Sequence, residues 1–169
     1  MSIVTIDCRE RDLIESLNQM NYEHFESKSI PLGDILIGEH IIIERKTWSD
    51  LASSIMDGRY KEQSNRLSQA LNENYKVYYF IEGNLDLYKP YGIKKETLIS
   101  CIYSLTYEKS FNVIITKNLK ETILFIIQFR DKYIRSETKP NIQINSSIVQ
   151  KKKNSQIDPT NISDCMLCQ

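Results

Sequence analysis

The sequence predicts an α/β fold in which a central mixed β-sheet is flanked by helices. Three observations carry that expectation. Short strand-like and helix-like runs alternate as far as about residue 135. The run KVYYFIEG, residues 76–83, is apolar without alternation, as a strand buried on both faces requires. The segment LKETILFIIQFRDKYIR, residues 119–135, is helical in pattern but too apolar for one contact face, so it either lies deep in the core or is shared with a partner chain.

Each element has its own signal. SIVTID, residues 2–7, reads as the first strand, and ERDLIESLNQM, residues 10–20, sets Leu13, Ile14 and Leu17 at helical spacing. YEHFESKSI is a weaker strand, broken by Pro31. In DILIGEHIIIERK, residues 34–46, two apolar runs flank Gly38, Glu39 and His40, the pattern of a β-hairpin. TWSDLASSIM and RYKEQSNRLSQAL are two helices jointed at Asp57-Gly58, where glycine permits a turn other residues resist. KKETLISCIYSLTYEK lines Leu98, Ile99, Ile102 and Leu105 along one helical stripe, and NVIIT is a further strand. Residues 1–135 are therefore expected to form one domain. From Ser136 to Gln169 the chain turns to Ser, Asn, Gln and Lys, the composition of a disordered polar tail.

Bulk composition narrows the function classes. With 169 residues, 41% hydrophobic and 26% charged, the chain has the make-up of a soluble globular protein. No apolar run approaches the roughly 18 residues of a membrane helix, and the N-terminus lacks a signal peptide's apolar core. An intracellular site is expected, and no membrane partner. A formal net charge of zero argues against a protein held on nucleic acid by bulk positive charge, so any such binding is expected to be local. The four cysteines, Cys8, Cys101, Cys165 and Cys168, are too scattered for a disulfide framework. Cys165-x-x-Cys168 is at best half a zinc site, and Lys151 to Lys153 are a weak basic signal. His24 and His40 have no partner at ligand spacing.

The charges in IIIERKTWSD, residues 41–50, concentrate the chemistry. On a strand, Ile42, Glu44 and Lys46 share one face while Ile41, Ile43 and Arg45 share the other. A three-residue turn at Gly38 to His40 sets Asp34 opposite Glu44, with their Cβ atoms roughly 5 Å apart. A two-residue turn at Gly38-Glu39 slips the register and throws the carboxylates onto opposite faces. The first register makes sense of the charges and is the expectation. Two carboxylates so placed beside apolar strands call for a cation between them. Oxygen ligands without histidine or cysteine favour Mg²⁺ or Mn²⁺ over zinc. Asp7, ending the first strand, and Glu10, three residues on, are candidates to join the site. Lys46 beside the ion would orient or deprotonate a water, and the set suits phosphodiester hydrolysis.

The wording of this region resembles the nuclease domain of the XPF family of structure-specific endonucleases. That family's GD…ERKxxxD signature is matched by Gly33-Asp34, Glu44-Arg45-Lys46 and Asp50, and the following SIMDGRYKEQSNRL is similar to its next conserved stretch. IDCRE, residues 6–10, resembles its first-strand D-x-R-E, and VYYFIEG its later strand ending in Glu-Gly. The likeness is close over residues 3–83 and extends to about 135 in layout only. It implies a restriction-endonuclease-like fold, metal-dependent cleavage of branched, flap or junction double-stranded DNA, and a homodimer or heterodimer formed through the C-terminal half of the domain. It further implies that Asp34 and Glu44 are metal ligands, Lys46 the catalytic lysine, and Asp7 an additional ligand or water-positioning carboxylate. Action in repair, recombination or replication follows, in a nucleus or at a viral replication site.

For Arg45 and Asp50 the resemblance leaves two readings open, a structural ion pair, with Asp50 as a candidate partner for Arg45, or substrate contact. Arg59, Gln63 and Arg66 fall at i, i+4 and i+7 on one helix face, either a stripe for DNA phosphates or an ordinary solvated face. Trp48 and Tyr60 are base-stacking candidates or core anchors. The chain has no glycine after Gly92, so the glycine-dependent helix-hairpin-helix module that many relatives append is not expected, nor is a helicase domain. The competing function is a catalytically silent DNA-binding partner of another nuclease, against which intact Asp34, Glu44 and Lys46 argue.

Overall fold

The computed structural model describes residues 3–138. Six strands form one mixed sheet, β1 (Val4–Asp7), β2 (Phe25–Lys28), β3 (Ile35–Ile37), β4 (Ile41–Thr47), β5 (Lys76–Glu82) and β6 (Asn112–Thr116), in the order β2-β1-β3-β4-β5-β6. β3 is antiparallel to both β1 and β4, and the other neighbours are parallel. The helices are α1 (Arg11–Gln19), α2 (Trp48–Met56), α3 (Arg59–Asn72), α4 (Lys95–Tyr103) and α5 (Leu119–Glu137). None of them is long and apolar enough to cross a membrane.

Strand alternation divides the interior into two layers. Ile42, Val77, Tyr79 and Ile81 pack with Leu51 of α2, Leu67 of α3 and Leu98 of α4. Ile43, Phe80, Ile6 and Ile35 pack on the other face with Leu13 and Leu17 of α1 and Ile123 and Ile126 of α5. Each such apolar side chain, once buried, contributes about 1.5–3 kcal/mol of transfer free energy. β5 faces both layers, which is why its sequence shows no alternation.

Two local readings change. In the 94–109 helix the inward residues are Leu98, Cys101 and Leu105, whereas Ile99, expected on the buried stripe, is 56% exposed. It lies about 100° round the helix from Leu98, whereas Cys101 and Leu105, at i+3 and i+7, stay on the face of Leu98; the backbone widens into a π-turn over Ser104–Glu108. Helix α5 runs to Glu137, past the expected end at 135. Cys165, Cys168, Lys151 to Lys153 and most of the expected tail lie outside the described residues.

Candidate active site

The β3–β4 pairing decides whether the two carboxylates meet. Ile35 pairs with Ile43, Leu36 with Ile42 and Ile37 with Ile41, the register of the three-residue turn. One step further it sets Asp34 against Glu44. The regular ladder stops there, because the Asp34 N–H donates to the Ile43 carbonyl (2.9 Å) while the Arg45 N–H donates to Asp34 Oδ2 (2.8 Å). Gly33 makes that step possible at φ +78°, and a Cβ on it would come within 2.5 Å of Ile42 Cγ2.

Asp34 and Glu44 line a cleft of about 110 Å³ together with Arg9, Gln63, Arg66 and the Pro31–Gly33 loop. Lys46 Nζ lies 2.9 Å from Glu44 Oε1, and both side chains are at least nine-tenths buried. Burial, and next the charge of Glu44, push the Asp34 carboxyl up to about 7, against the pull of the Arg45 N–H and Lys46. Burial, reinforced by the neighbouring carboxylate, thus makes ionisation of Asp34 costly.

The donor set fits a hard divalent cation. Two carboxylates converge without histidine or cysteine, and binding a cation would relieve their repulsion. Among the described residues no group of three or more ligating side chains occurs, so further ligands would be water and substrate oxygens, as Mg²⁺ tolerates. Gln63 Oε1 is buried with no hydrogen-bond partner among the described residues, an acceptor suited to a metal-bound water.

The remaining candidates separate. Asp7 is fully buried but does not line the cleft: it accepts from Arg9 Nε (2.7 Å), Arg9 Nη2 (3.1 Å), the Arg9 N–H (2.9 Å) and the Ile30 N–H (2.9 Å). The Arg9 side chain, foremost among these, holds its carboxyl well below the usual range. Glu10 turns to the opposite face of the sheet, where its Oε2 accepts from Arg45 Nη1 at 2.7 Å. Burial pushes the Glu10 carboxyl up, and Arg45 opposes that shift.

Arg45 is the centre of an ion-pair network. Besides Glu10 it bonds Asp12 (Nη2, 3.0 Å) and Glu82 (Nε, 3.1 Å), and Glu82 in turn accepts from Thr122 of α5. Asp50, the candidate partner for Arg45, is not among its bonds. Asp50 instead closes a reciprocal cap at the start of α2, its N–H donating to Thr47 Oγ1 (3.1 Å) and its carboxylate accepting from that hydroxyl (2.7 Å). The Thr47-x-x-Asp50 spacing carries that signal.

Of the basic stripe, Gln63 and Arg66 reach the cleft, Arg66 donating to the Pro31 carbonyl at 2.6 Å. Arg59 is held away by Asp57 at 2.8 Å. Trp48 is a core anchor whose Nε1 donates to the Gly83 carbonyl, and Tyr60 packs against the same core. Sequence reasoning named neither Arg9 nor Glu82 individually as a site residue, although D-x-R-E and the closing Glu-Gly contained them.

A mixed sheet packed by helices on both faces, with carboxylates and a lysine at one end of an antiparallel pair, defines the restriction-endonuclease-like class. Residues 6–129 match the ERCC4 domain, and the chain belongs to that family. It is 28% identical to the Arabidopsis thaliana crossover junction endonuclease MUS81, over 68% of this chain and 18% of that protein. To the 3'-flap repair endonuclease Xpf of Saccharolobus solfataricus it is 25% identical, over 66% of this chain and 47% of that protein. The solved structure of XPF from Aeropyrum pernix in complex with DNA superposes with a TM-score of 0.66 at 28% identity, over 82% of this chain and 68% of that one. Against other relatives, from Methanocaldococcus jannaschii, Dictyostelium discoideum and African swine fever virus, the chain spans 15%, 14% and 19% of their length.

Proposed function

We propose that the chain is a divalent-metal-dependent, structure-selective DNA endonuclease that cuts branched, flap or junction duplexes. The observation that carries this reading is the buried pair Asp34 and Glu44, with Lys46 bonded to Glu44 and a guanidinium and an unpaired amide oxygen in the same cleft. Asp34 and Glu44 would hold Mg²⁺ or Mn²⁺, which when bound supplies positive charge to the phosphodiester. The Arg45 N–H fixes the Asp34 carboxylate for that task. Lys46, fixed by Glu44, places its ammonium where a water attacking phosphorus can be oriented and the growing negative charge neutralised. Gln63 and Arg66 contact the hydrated site and the flanking phosphates.

The dimer partner is a second copy or a related chain, seated on the edge of β6 that is unpaired among the described residues. Ile115 of β6 and Ile99 of α4 are exposed on one groove, and Tyr103 of α4, Tyr107 of the π-turn and Leu124 of α5 are also exposed. The seam therefore centres on α4 and β6 more than on α5, whose other apolar residues pack on the inner layer.

Incubation of the purified chain with labelled flap, fork, four-way junction and linear duplex DNA, in Mg²⁺ or in EDTA, tests the reading. Cleavage confined to branched substrates and to Mg²⁺ is expected. Equal cleavage by Asp34→Ala would sink it.

A further inference from the structure

Arg9 is 74% exposed, and exposed arginines ordinarily sample many rotamers. This one is pinned. Its Nε and Nη2 form a two-pronged bond with a carboxylate that is fully buried and anchored from a second side by the Ile30 N–H. The fork leaves Nη1 and the second hydrogen of Nη2 without a protein acceptor among the described residues. Arg9 nevertheless lines the cleft that holds Asp34 and Glu44, and bonds neither. Arg66, on the same cleft, shows the same design, with one Nη bonded to the Pro31 carbonyl and the other donors open. Two guanidiniums with open donors thus border the carboxylate pair, Arg9 secured along one edge and Arg66 by a single bond.

Resting on the nuclease reading above, we propose that Arg9 is a substrate-binding residue that grips a DNA phosphate at the cleft opposite Arg66, and that Asp7 is its positioning residue. A planar guanidinium presents parallel N–H donors to two phosphate oxygens, and fixing it beforehand removes the ordering cost of binding. Asp7 then acts through Arg9, and its four acceptor contacts explain why a carboxylate at the end of β1 is absent from the cleft lining.

The test measures binding of the full chain to a fluorescein-labelled flap duplex by anisotropy across a salt series, with Ca²⁺ replacing Mg²⁺. Arg9→Gln is expected to lower the slope of log affinity against log salt by about 0.9, one phosphate contact, measured at a temperature where circular dichroism shows the variant folded, because the buried Asp7 loses its charge partner. Arg9→Lys, which keeps the charge but loses the fork, retains the slope and binds more weakly. Asp7→Asn raises KM more than it lowers kcat, and leaves Mn²⁺ binding, followed by electron paramagnetic resonance, at the wild-type level. An unchanged slope in Arg9→Gln overturns the proposal, as does loss of Mn²⁺ binding in Asp7→Asn, which would make Asp7 a ligand. Wild-type protein that neither binds nor cuts DNA sinks the nuclease reading as well, whereas cleavage with an unaltered Arg9→Gln slope sinks the Arg9 assignment alone.

Discussion

At the scale of single residues, Asp34 sets a pH dependence. Its carboxyl is pushed up to about 7 in the fold, above the value of about 3.9 for an unstrained Asp. The metal-free fold therefore binds this proton more tightly than the unfolded chain does, and stability is lost as pH rises from about 4 toward about 7. Melting curves in EDTA should fall in temperature over that window, and Asp34→Asn should flatten the profile. Since a cation competes with the same proton, Mn²⁺ affinity should climb with pH through about 7. Lys46 and Arg45, adjacent in sequence, should part company on substitution. Arg45→Ala leaves Glu10 and Glu82 unpaired in a mostly buried setting and should cost about 3 kcal/mol or more in denaturant unfolding. Lys46→Gln keeps a hydrogen-bonding partner for Glu44 and should abolish cleavage with far less loss of stability. Periodicity placed Arg45 and Glu44 on opposite faces, but the partners of Arg45 come from α1 and β5, 33 to 37 residues away in sequence. No local spacing encodes them.

At the scale of elements, the β3–β4 hairpin and the cap of α2 carry the geometry. Gly33→Ala must accommodate a Cβ against Ile42 at positive φ, so it should displace Asp34 and depress cleavage well beyond its effect on melting temperature. Thr47→Ala removes the reciprocal cap with Asp50 and should destabilise by about 1 kcal/mol, read from chemical unfolding, with the metal affinity retained. The strands and helices were legible because each has a clear period, and the hairpin register followed from requiring the charges to share a face. The inward face of α4 was not. Ile99 and Cys101 flank Leu98 on either side of the stripe, and apolar character favours Ile99 while the packing buries Cys101, a choice that depends on the neighbouring elements and not on the helix period.

For the whole molecule, the sheet has two edges of different character. β2 is a short, largely exposed strand ending the order on one side, with charged Glu26 and Lys28, while β6 ends the other with Ile115 exposed on one groove with Ile99. Ile115→Arg, on this second edge, should shift the chain toward monomer in sedimentation velocity with little change in unfolding free energy. If the wild type is already monomeric at micromolar concentration, the β6 seam is wrong. Composition left α5 either deep in the core or shared with a partner chain, because apolar content alone does not reveal which residues the inner layer claims. The Arg45 network bears on how variants of this chain are to be interpreted. One guanidinium bolts α1, β4 and β5 together, and Glu82 extends the joint to α5. A screen that scores only lost cleavage would therefore place Arg45 among the chemical residues, when its silence would report a molecule that had come apart at its central seam.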